Sequence, residues 1–244
     1  MKLPYLPIKQ EQTTEISEIF SSLQGEGPYL GKRQIFVRFG RCNMHCGYCD
    51  ETDKMKPGGF QVRTMSAVMR DVIEMEKKEG PHHSVSLTGG EPLFYSRFLE
   101  SFIPELKSKG MGVYLETNGT LPDLLRRHVR SIDVIAMDMK PPSSTGDREY
   151  WDEHKEFLEV ARDTEVFVKV VVTPKVTVAD IERAVSIVKG VNPTIPFIFQ
   201  PLSEMTGIST AALQLIEKQL MPIAAADLKD VRVIPQMHKI WGVR

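Results

Sequence analysis

Six apolar, β-branched runs punctuate this chain, and segments of helical period lie between or after them. "QIFVRFG" (34–40), "SVSLT" (84–88), "GVYLE" (112–116), "IDVIAMD" (132–138), "VFVKVVVT" (166–173) and "IPFIFQ" (195–200) are the runs. They are apolar almost throughout rather than alternating, which is what strands buried on both faces require. Helical segments between them have the matching stripe. Thr64 is an N-cap for a helix with Met65, Val68, Met69, Val72 and Ile73 on one face, ending in lysines at Gly80. Ser96 starts a second, with Phe98, Leu99, Phe102, Ile103 and Leu106 inward, closing at Gly110; "VADIERAVSIVKG" supplies another. Strand and helix in alternation predict an α/β fold with a parallel sheet covered by helices. No repeat, low-complexity tract or linker interrupts the 244 residues, so one domain is the economical reading.

Polar residues gather where these runs end. The first run leads into "RCNMHCGYCD" (41–50), the second into "TGGEP" (88–92), the third into "ETNGT" (116–120), the fourth into "DMK" (138–140) and the last ends on Gln200. In parallel α/β folds the loops at the carboxyl ends of the strands converge on one ligand site. The chain's three cysteines, Cys42, Cys46 and Cys49, all sit in the first of these loops. A structural zinc site wants four ligands and a cubane iron–sulfur cluster also takes four. Three thiolates therefore leave one iron open for another ligand; a zinc knuckle completed by a distant His and unligated thiols are the alternatives. An odd, clustered set of cysteines is a poor disulfide framework and fits a reducing cytoplasm.

Bulk properties exclude other classes. A net charge of −1 gives no global field toward nucleic acid or anionic lipid. No apolar run approaches the ~20 residues of a membrane span, and the N-terminus has no signal-peptide core. The basic "LLRRHVR" (124–130) reads as a solvated helix face, the methionines as packing residues, and His82 and His83 as exposed residues before a strand.

The loop "CNMHCGYC" resembles the CxxxCxΦC motif of the radical S-adenosylmethionine (SAM) superfamily, with Tyr48 as the aromatic Φ, and "GGEP" resembles that superfamily's motif for the SAM amino group. The resemblance implies a [4Fe–4S] cluster whose fourth iron is chelated by SAM, reductive release of a 5′-deoxyadenosyl radical, and hydrogen abstraction from a substrate. Flanking segments, "EIFSSLQGEGPYLGKRQIFVRFGRCN" and "IPQMHKIWG", with "DMKPPSS" and "VFVKVVVT", are similar to the 7-carboxy-7-deazaguanine synthase family over essentially the whole chain from Glu18 on. That implies conversion of 6-carboxy-5,6,7,8-tetrahydropterin to 7-carboxy-7-deazaguanine with loss of ammonia. It also implies a partial (β/α)6 barrel, Mg²⁺, a homodimer, and a low-potential flavodoxin- or ferredoxin-type electron donor. An N-terminal extension of about 1–17 and a C-terminal tail of about 231–244 that closes over the substrate belong to the same expectation.

Roles follow by position within that resemblance. Cys42, Cys46 and Cys49 would hold the cluster. Tyr48, Cys49, Asp50, Gly90, Glu91, Asp138, Met139, Lys140 and Gln200 would line the SAM site. For the substrate, backbone groups of Leu23, Gln24 and Gly25 approach a flat heterocycle, and the Arg38 fork suits a carboxylate. Thr88 adds a hydroxyl, Glu116 accepts from a pterin N–H edge, and Gln236, His238 and Arg244 come from the tail. Two positions depart from the family pattern. Asp138 stands where the family often has Ser, and "CDET" offers Glu51 or Thr52 as the Mg²⁺ ligand. Two other classes stay open beside this one, a radical SAM activase of a glycyl-radical enzyme and a non-enzymatic iron–sulfur electron carrier.

Overall fold

The computed structural model describes residues 11–53, 56–204 and 207–243. Arg244 and residues 1–10 of the expected N-terminal extension lie outside them. Within the described residues the six expected strands form and pair in parallel: β2 (Arg33–Phe39), β4 (Ser84–Gly89), β5 (Val113–Thr117), β6 (Val134–Met139), β7 (Glu165–Val172) and β8 (Phe197–Pro201). Three strands join them that no apolar run announces. β1 (Thr13–Leu23) lies antiparallel to β2 and to the short β3 (Gln61–Thr64), and β9 (Val231–Val233) runs parallel to β8. The sheet order is β9-β8-β7-β6-β5-β4-β2-β1-β3. Residues 13–17 therefore belong to the sheet rather than to an extension, and the segment after the last sheet strand begins past Val233.

Helices fall where their stripes placed them. In α1 (Met65–Glu79) the Thr64 hydroxyl accepts from the Ala67 N–H at 3.3 Å, and Val68, Met69 and Val72 are buried. In α2 (Ser96–Ser108) the five expected apolar residues, Phe98, Leu99, Phe102, Ile103 and Leu106, all reach the core. α3 (Trp151–Ala161) and α4 (Val178–Val191) cover the β6–β7 and β7–β8 crossovers. Each side chain of Leu or Phe size taken fully out of water contributes roughly 1.5–3 kcal/mol.

Period two decides what faces the site. One parity of each strand packs under the helices: Ile35, Val37 and Phe39; Val85 and Leu87; Val113 and Leu115; Ile135, Met137 and Met139; Val166, Val168, Val170 and Val172; Phe197 and Phe199. The other parity faces inward, with Tyr114, Val134, Ala136, Phe167 and Ile198 forming a second, smaller cluster. Toward the carboxyl ends that inner parity turns polar, at Arg38, Thr88, Glu116, Asp138, Lys169 and Gln200. His82 departs from its expected exposure. Its side chain is 2% exposed and bridges Glu76 on α1 (2.5 Å) to Ser21 on β1 (2.8 Å).

Candidate active site

The inner parity opens into a cavity of about 580 Å³ whose walls carry the three cysteines, the polar strand exits and the tail. Glu116 is the carboxylate that the β4–β5 side presents to the cavity. Its Oε1 accepts from Gln24 Nε2 and Ser86 Oγ, both at 3.0 Å, and its Oε2 from Thr88 Oγ1 at 2.7 Å. A carboxylate has about four lone-pair positions. One remains, on Oε2, so Glu116 can take one further donor without losing a partner. Gln24 is itself fixed: its Nε2 also donates to the buried Gln34, and its Oε1 accepts from the Glu26 N–H. The Gln24 backbone is spent in the β1–β2 hairpin, so the side chain, aimed at Glu116, is what Gln24 brings to the cavity.

A chain of charges occupies the β6–β8 side. Lys169 donates to Glu26 and lies 3.2 Å from Asp138, which pairs with Lys140 at 2.9 Å; Lys140 reaches the Tyr48 hydroxyl at 3.3 Å. Burial pushes the Glu26 and Asp138 carboxyls up, but the adjacent lysines outweigh it and hold both below the usual carboxylate range. Gln200 Nε2 and Gln236 Nε2 also approach Glu26 Oε1, at 3.4 and 2.9 Å. Asp138 Oδ1 and Gln200 Oε1 are buried acceptors that meet no donor among the described residues. An unmatched buried acceptor costs about 1–3 kcal/mol, so a ligand that offered donors to these two atoms would gain by it.

All three cysteines are free, partly buried, and line the same cavity. Burial raises each thiol above its ordinary value, Cys42 to about 11 with Glu91's charge adding to the effect. Met44 N–H and Asn118 Nδ2 approach Cys42 Sγ at 3.4 and 3.8 Å, and the Glu51 backbone N–H donates to Cys49. Among the described residues no three Cys, His, Asp or Glu side chains are gathered to hold a single ion. The donor set nevertheless fits an iron–sulfur cluster: three soft thiols in one desolvated loop, with N–H donors directed at two of the sulfurs.

Two expected SAM residues sit elsewhere. Glu91 is fully buried and turned away from the cavity. It accepts from Leu93 N–H (3.0 Å), Thr117 Oγ1 (2.9 Å) and Asn118 N–H (2.8 Å), tying the exit of β4 to that of β5. Burial pushes its carboxyl up to about 7. Met139 has the outer parity and belongs to the core under the helices. Gly90 does line the cavity, and for a steric reason: a Cβ there would stand 1.9 Å from the Arg41 carbonyl oxygen. The bare backbone lets the β4 exit pass against the cysteine loop.

Residues of the tail form part of the cavity wall. Met237 N–H donates to the Gly25 carbonyl at 2.9 Å, Lys239 pairs with Asp50 at 2.7 Å, and Gln236, His238 and Lys239 line the wall. Gly25 meets His238 so closely that a Cβ would lie 2.5 Å from its Nδ1. Its missing side chain thus serves the tail. Arg38 lines the cavity with its guanidinium engaged by Glu18 (2.8 Å) and Glu51 (3.1 Å). Of the two Mg²⁺ candidates, Glu51 lines the cavity and Thr52 is exposed outside it.

The family model of the radical SAM superfamily matches residues 36–188, from β2 through α4. A 7-carboxy-7-deazaguanine synthase of Geobacter sulfurreducens is 36% identical, over 93% of this chain and 97% of that one. The chain belongs to the 7-carboxy-7-deazaguanine synthase family of the radical SAM superfamily. A Methanothermobacter thermautotrophicus synthase is 32% identical over 94% of this chain and 97% of its own. The crystal structure of QueE from Escherichia coli shares the fold at a TM-score of 0.62, with 20% identity, over 92% of this chain and 94% of that one. The fold expected from the resemblance, a radical SAM α/β architecture with a mostly parallel sheet, is the fold present. Membership in this family of enzymes sets aside the electron-carrier reading and disfavours the activase.

Residues of this synthase-family site to which the sequence reading gives no role include Glu26, Lys169 and Asn118. Glu26 stood inside the quoted "SLQGEG", and Lys169 was a lone charge within a strand buried on both faces. That pattern demands a partner, since a buried ammonium without one is strongly disfavoured.

Proposed function

We propose that this chain converts 6-carboxy-5,6,7,8-tetrahydropterin to 7-carboxy-7-deazaguanine with loss of ammonia, as a radical SAM enzyme with a [4Fe–4S] cluster on Cys42, Cys46 and Cys49. One observation carries the reading. A single cavity holds three thiols on one wall and, on another, a carboxylate aimed by Gln24, Ser86 and Thr88. When bound, the cluster supplies the electron that cleaves SAM and so the radical that abstracts hydrogen from the substrate.

The chain's own residues do the rest. Asp138 Oδ1 and Gln200 Oε1 accept from SAM's donor groups, while Lys140 and Lys169 keep Asp138 ionised. Tyr48, Asp50 and Gly90 complete that wall. Glu116 offers its one open lone pair to a pterin N–H, with Leu23 beside it at the rim. Arg38, set between Glu18 and Glu51, exchanges a carboxylate partner for that of the substrate. A Mg²⁺ at this edge would take Glu51 and neutralise the charge that Arg38 leaves. Gln236 and His238, from the tail after Val233, cover the substrate and exclude water. The chain acts as one domain, in a homodimer, in the reducing cytoplasm, fed by a flavodoxin- or ferredoxin-type donor; sedimentation equilibrium tests the dimer.

Cluster-reconstituted protein, assayed anaerobically with SAM, a low-potential reductant, Mg²⁺ and the tetrahydropterin, should yield 7-carboxy-7-deazaguanine by mass spectrometry. The product should vanish in Cys46→Ala. Cleavage of SAM with the pterin untouched would overturn the substrate assignment and leave the radical chemistry standing.

A further inference from the structure

Asn118 sits on the turn after β5 with its polar atoms engaged on every side. Its Oδ1 accepts from Thr120 N–H (3.1 Å) and Thr120 Oγ1 (2.6 Å), which fixes the amide so that nitrogen, not oxygen, faces the cysteine loop. That Nδ2 donates to Asn43 Oδ1 at 2.8 Å and points at Cys42 Sγ at 3.8 Å. Asn43 closes the ring by donating to Thr120 Oγ1 at 2.8 Å. The backbone is pinned as well. Asn118 N–H donates to Glu91 at 2.8 Å, and its carbonyl accepts from Nε2 of His154, 3.1 Å away on α3. His154 is wholly buried and its Nδ1 has no partner, so within the described structure Asn118 is the group this ring serves.

A donor directed at a ligand sulfur stabilises the more electron-rich form of a cluster and therefore raises its reduction potential. Met44 and Glu51 supply such donors from the backbone, where no side-chain substitution removes them. Asn118 supplies one from a side chain held rigid by its neighbours.

We propose that Asn118 is a positioning residue for the cluster, its amide orienting the Cys42 sulfur and raising the reduction potential, with His154 bracing it from α3. The inference rests on the cluster proposed above. Through it, the exit of β5 would set how readily the centre passes its electron to SAM, although Asn118 touches neither the iron nor the reacting bond.

The test is an anaerobic potentiometric titration of reconstituted protein, followed by the electron paramagnetic resonance signal of the reduced cluster. Asn118→Asp keeps the shape and the Oδ1 acceptor but removes the N–H groups; Asn118→Ala removes the amide altogether. Both should titrate at a lower potential than the parent protein at equal iron content, the Asp variant lowest because it adds charge. His154→Leu should fall between the parent and Asn118→Ala. Asn43→Ala removes the Oδ1 that lies 3.9 Å from Cys42 Sγ but leaves the Asn118 donor in place, and should shift the potential less than Asn118→Ala does. A parent-like potential in Asn118→Asp, which keeps the fold if Asn118→Ala does not, overturns the inference. So does a shift in Asn43→Ala equal to that of Asn118→Ala, since loop order would then explain both. If the parent protein itself takes up no four-iron cluster, the functional reading falls and this inference with it. If the parent loads and the variants match it, only the inference falls.

Discussion

The two halves of the cavity rim satisfy their polar groups in opposite ways. At the exits of β4 and β5, Glu91, Thr117, Asn118 and Thr120 bond to one another, and Glu91 accepts three donors without reaching the cavity. On the β6–β8 side, Glu26 from the loop after β1, Lys169 within β7, and Asp138 and Lys140 at the end of β6 balance charge for charge, yet among the described residues Asp138 Oδ1 and Gln200 Oε1 are left without donors. A finished network gives rigidity, and an unfinished one at a cavity wall gives binding. The closed knot positions the cysteine loop, and the open cluster is the wall proposed above to take SAM and substrate. Both consist of polar groups at the ends of parallel strands, so location alone does not separate scaffold from site. What separates them is acceptor capacity turned toward the cavity: Glu91 and Glu116 each accept three donors, but only Glu116, like Asp138 and Gln200, lines it.

The largest effect should come from removing the shared cation of the open cluster. Lys169→Met leaves Glu26 and Asp138 buried beside one ammonium fewer and should cost about 3–5 kcal/mol in urea unfolding of the apoprotein. A loss under about 1 kcal/mol would mean that the four charges do not act as a unit.

Acid and base should then divide the two regions. Glu91 is raised to about 7 in the fold, above the 4.5 of an ordinary glutamate. Its contribution is therefore fully present below pH 4.5 and lost as pH rises through about 7, a change of about 3 kcal/mol. Glu26 and Asp138 are depressed, so theirs is present above the ordinary carboxylate range and lost as pH falls through their lowered values. Thermal midpoints of the apoprotein measured across pH should show both limbs. Glu91→Gln should flatten only the neutral limb; loss of the acid limb in that variant would break the separation.

Smaller effects sharpen the contrast at the cavity edge. Gly25→Ala places a Cβ 2.5 Å from His238 Nδ1 and 2.7 Å from the His238 backbone nitrogen. It should lift the tail, read as faster amide exchange over residues 236–243 with exchange in β5 and β6 unchanged. Lys239→Ala removes the partly exposed pair with Asp50 and should cost no more than about 1 kcal/mol.

The sequence showed most of the parallel sheet because strands buried on both faces leave unbroken apolar runs. β1 was illegible because "TTEISEIFSSL" shows neither a run nor an alternation: Ile16, Ile19, Phe20 and Leu23 fall at a helical spacing, and the register shift between Ile16 and Glu18 breaks the period of two. The site followed strand parity. Arg38, Thr88, Glu116, Asp138 and Gln200 share the inner face, whereas Met139, one residue beyond Asp138, points under the helices. Lys169 has the inner parity but lies three residues before its strand ends, within valines, where attention to the exits alone passes over it. Glu91 follows its strand, beyond the reach of parity, and only the bonds it makes reveal its inward turn. His82, flanked by Pro81 and His83, looked exposed because Ser21, 61 residues away, and Glu76 on the preceding helix meet it only in the fold.

The central claim, that acceptor capacity turned toward the cavity separates site from scaffold, meets its most direct test in one crossed measurement on reconstituted protein. Thermal midpoint and the dissociation constant for SAM would be determined for Glu91→Gln and Gln200→Leu together. The account predicts a lower midpoint with near-parental SAM affinity for Glu91→Gln. For Gln200→Leu it predicts a parental midpoint with SAM binding weakened about tenfold, the equivalent of about 1.4 kcal/mol for one lost hydrogen bond. Parental SAM affinity in Gln200→Leu, or equal loss of affinity in both variants, would contradict it.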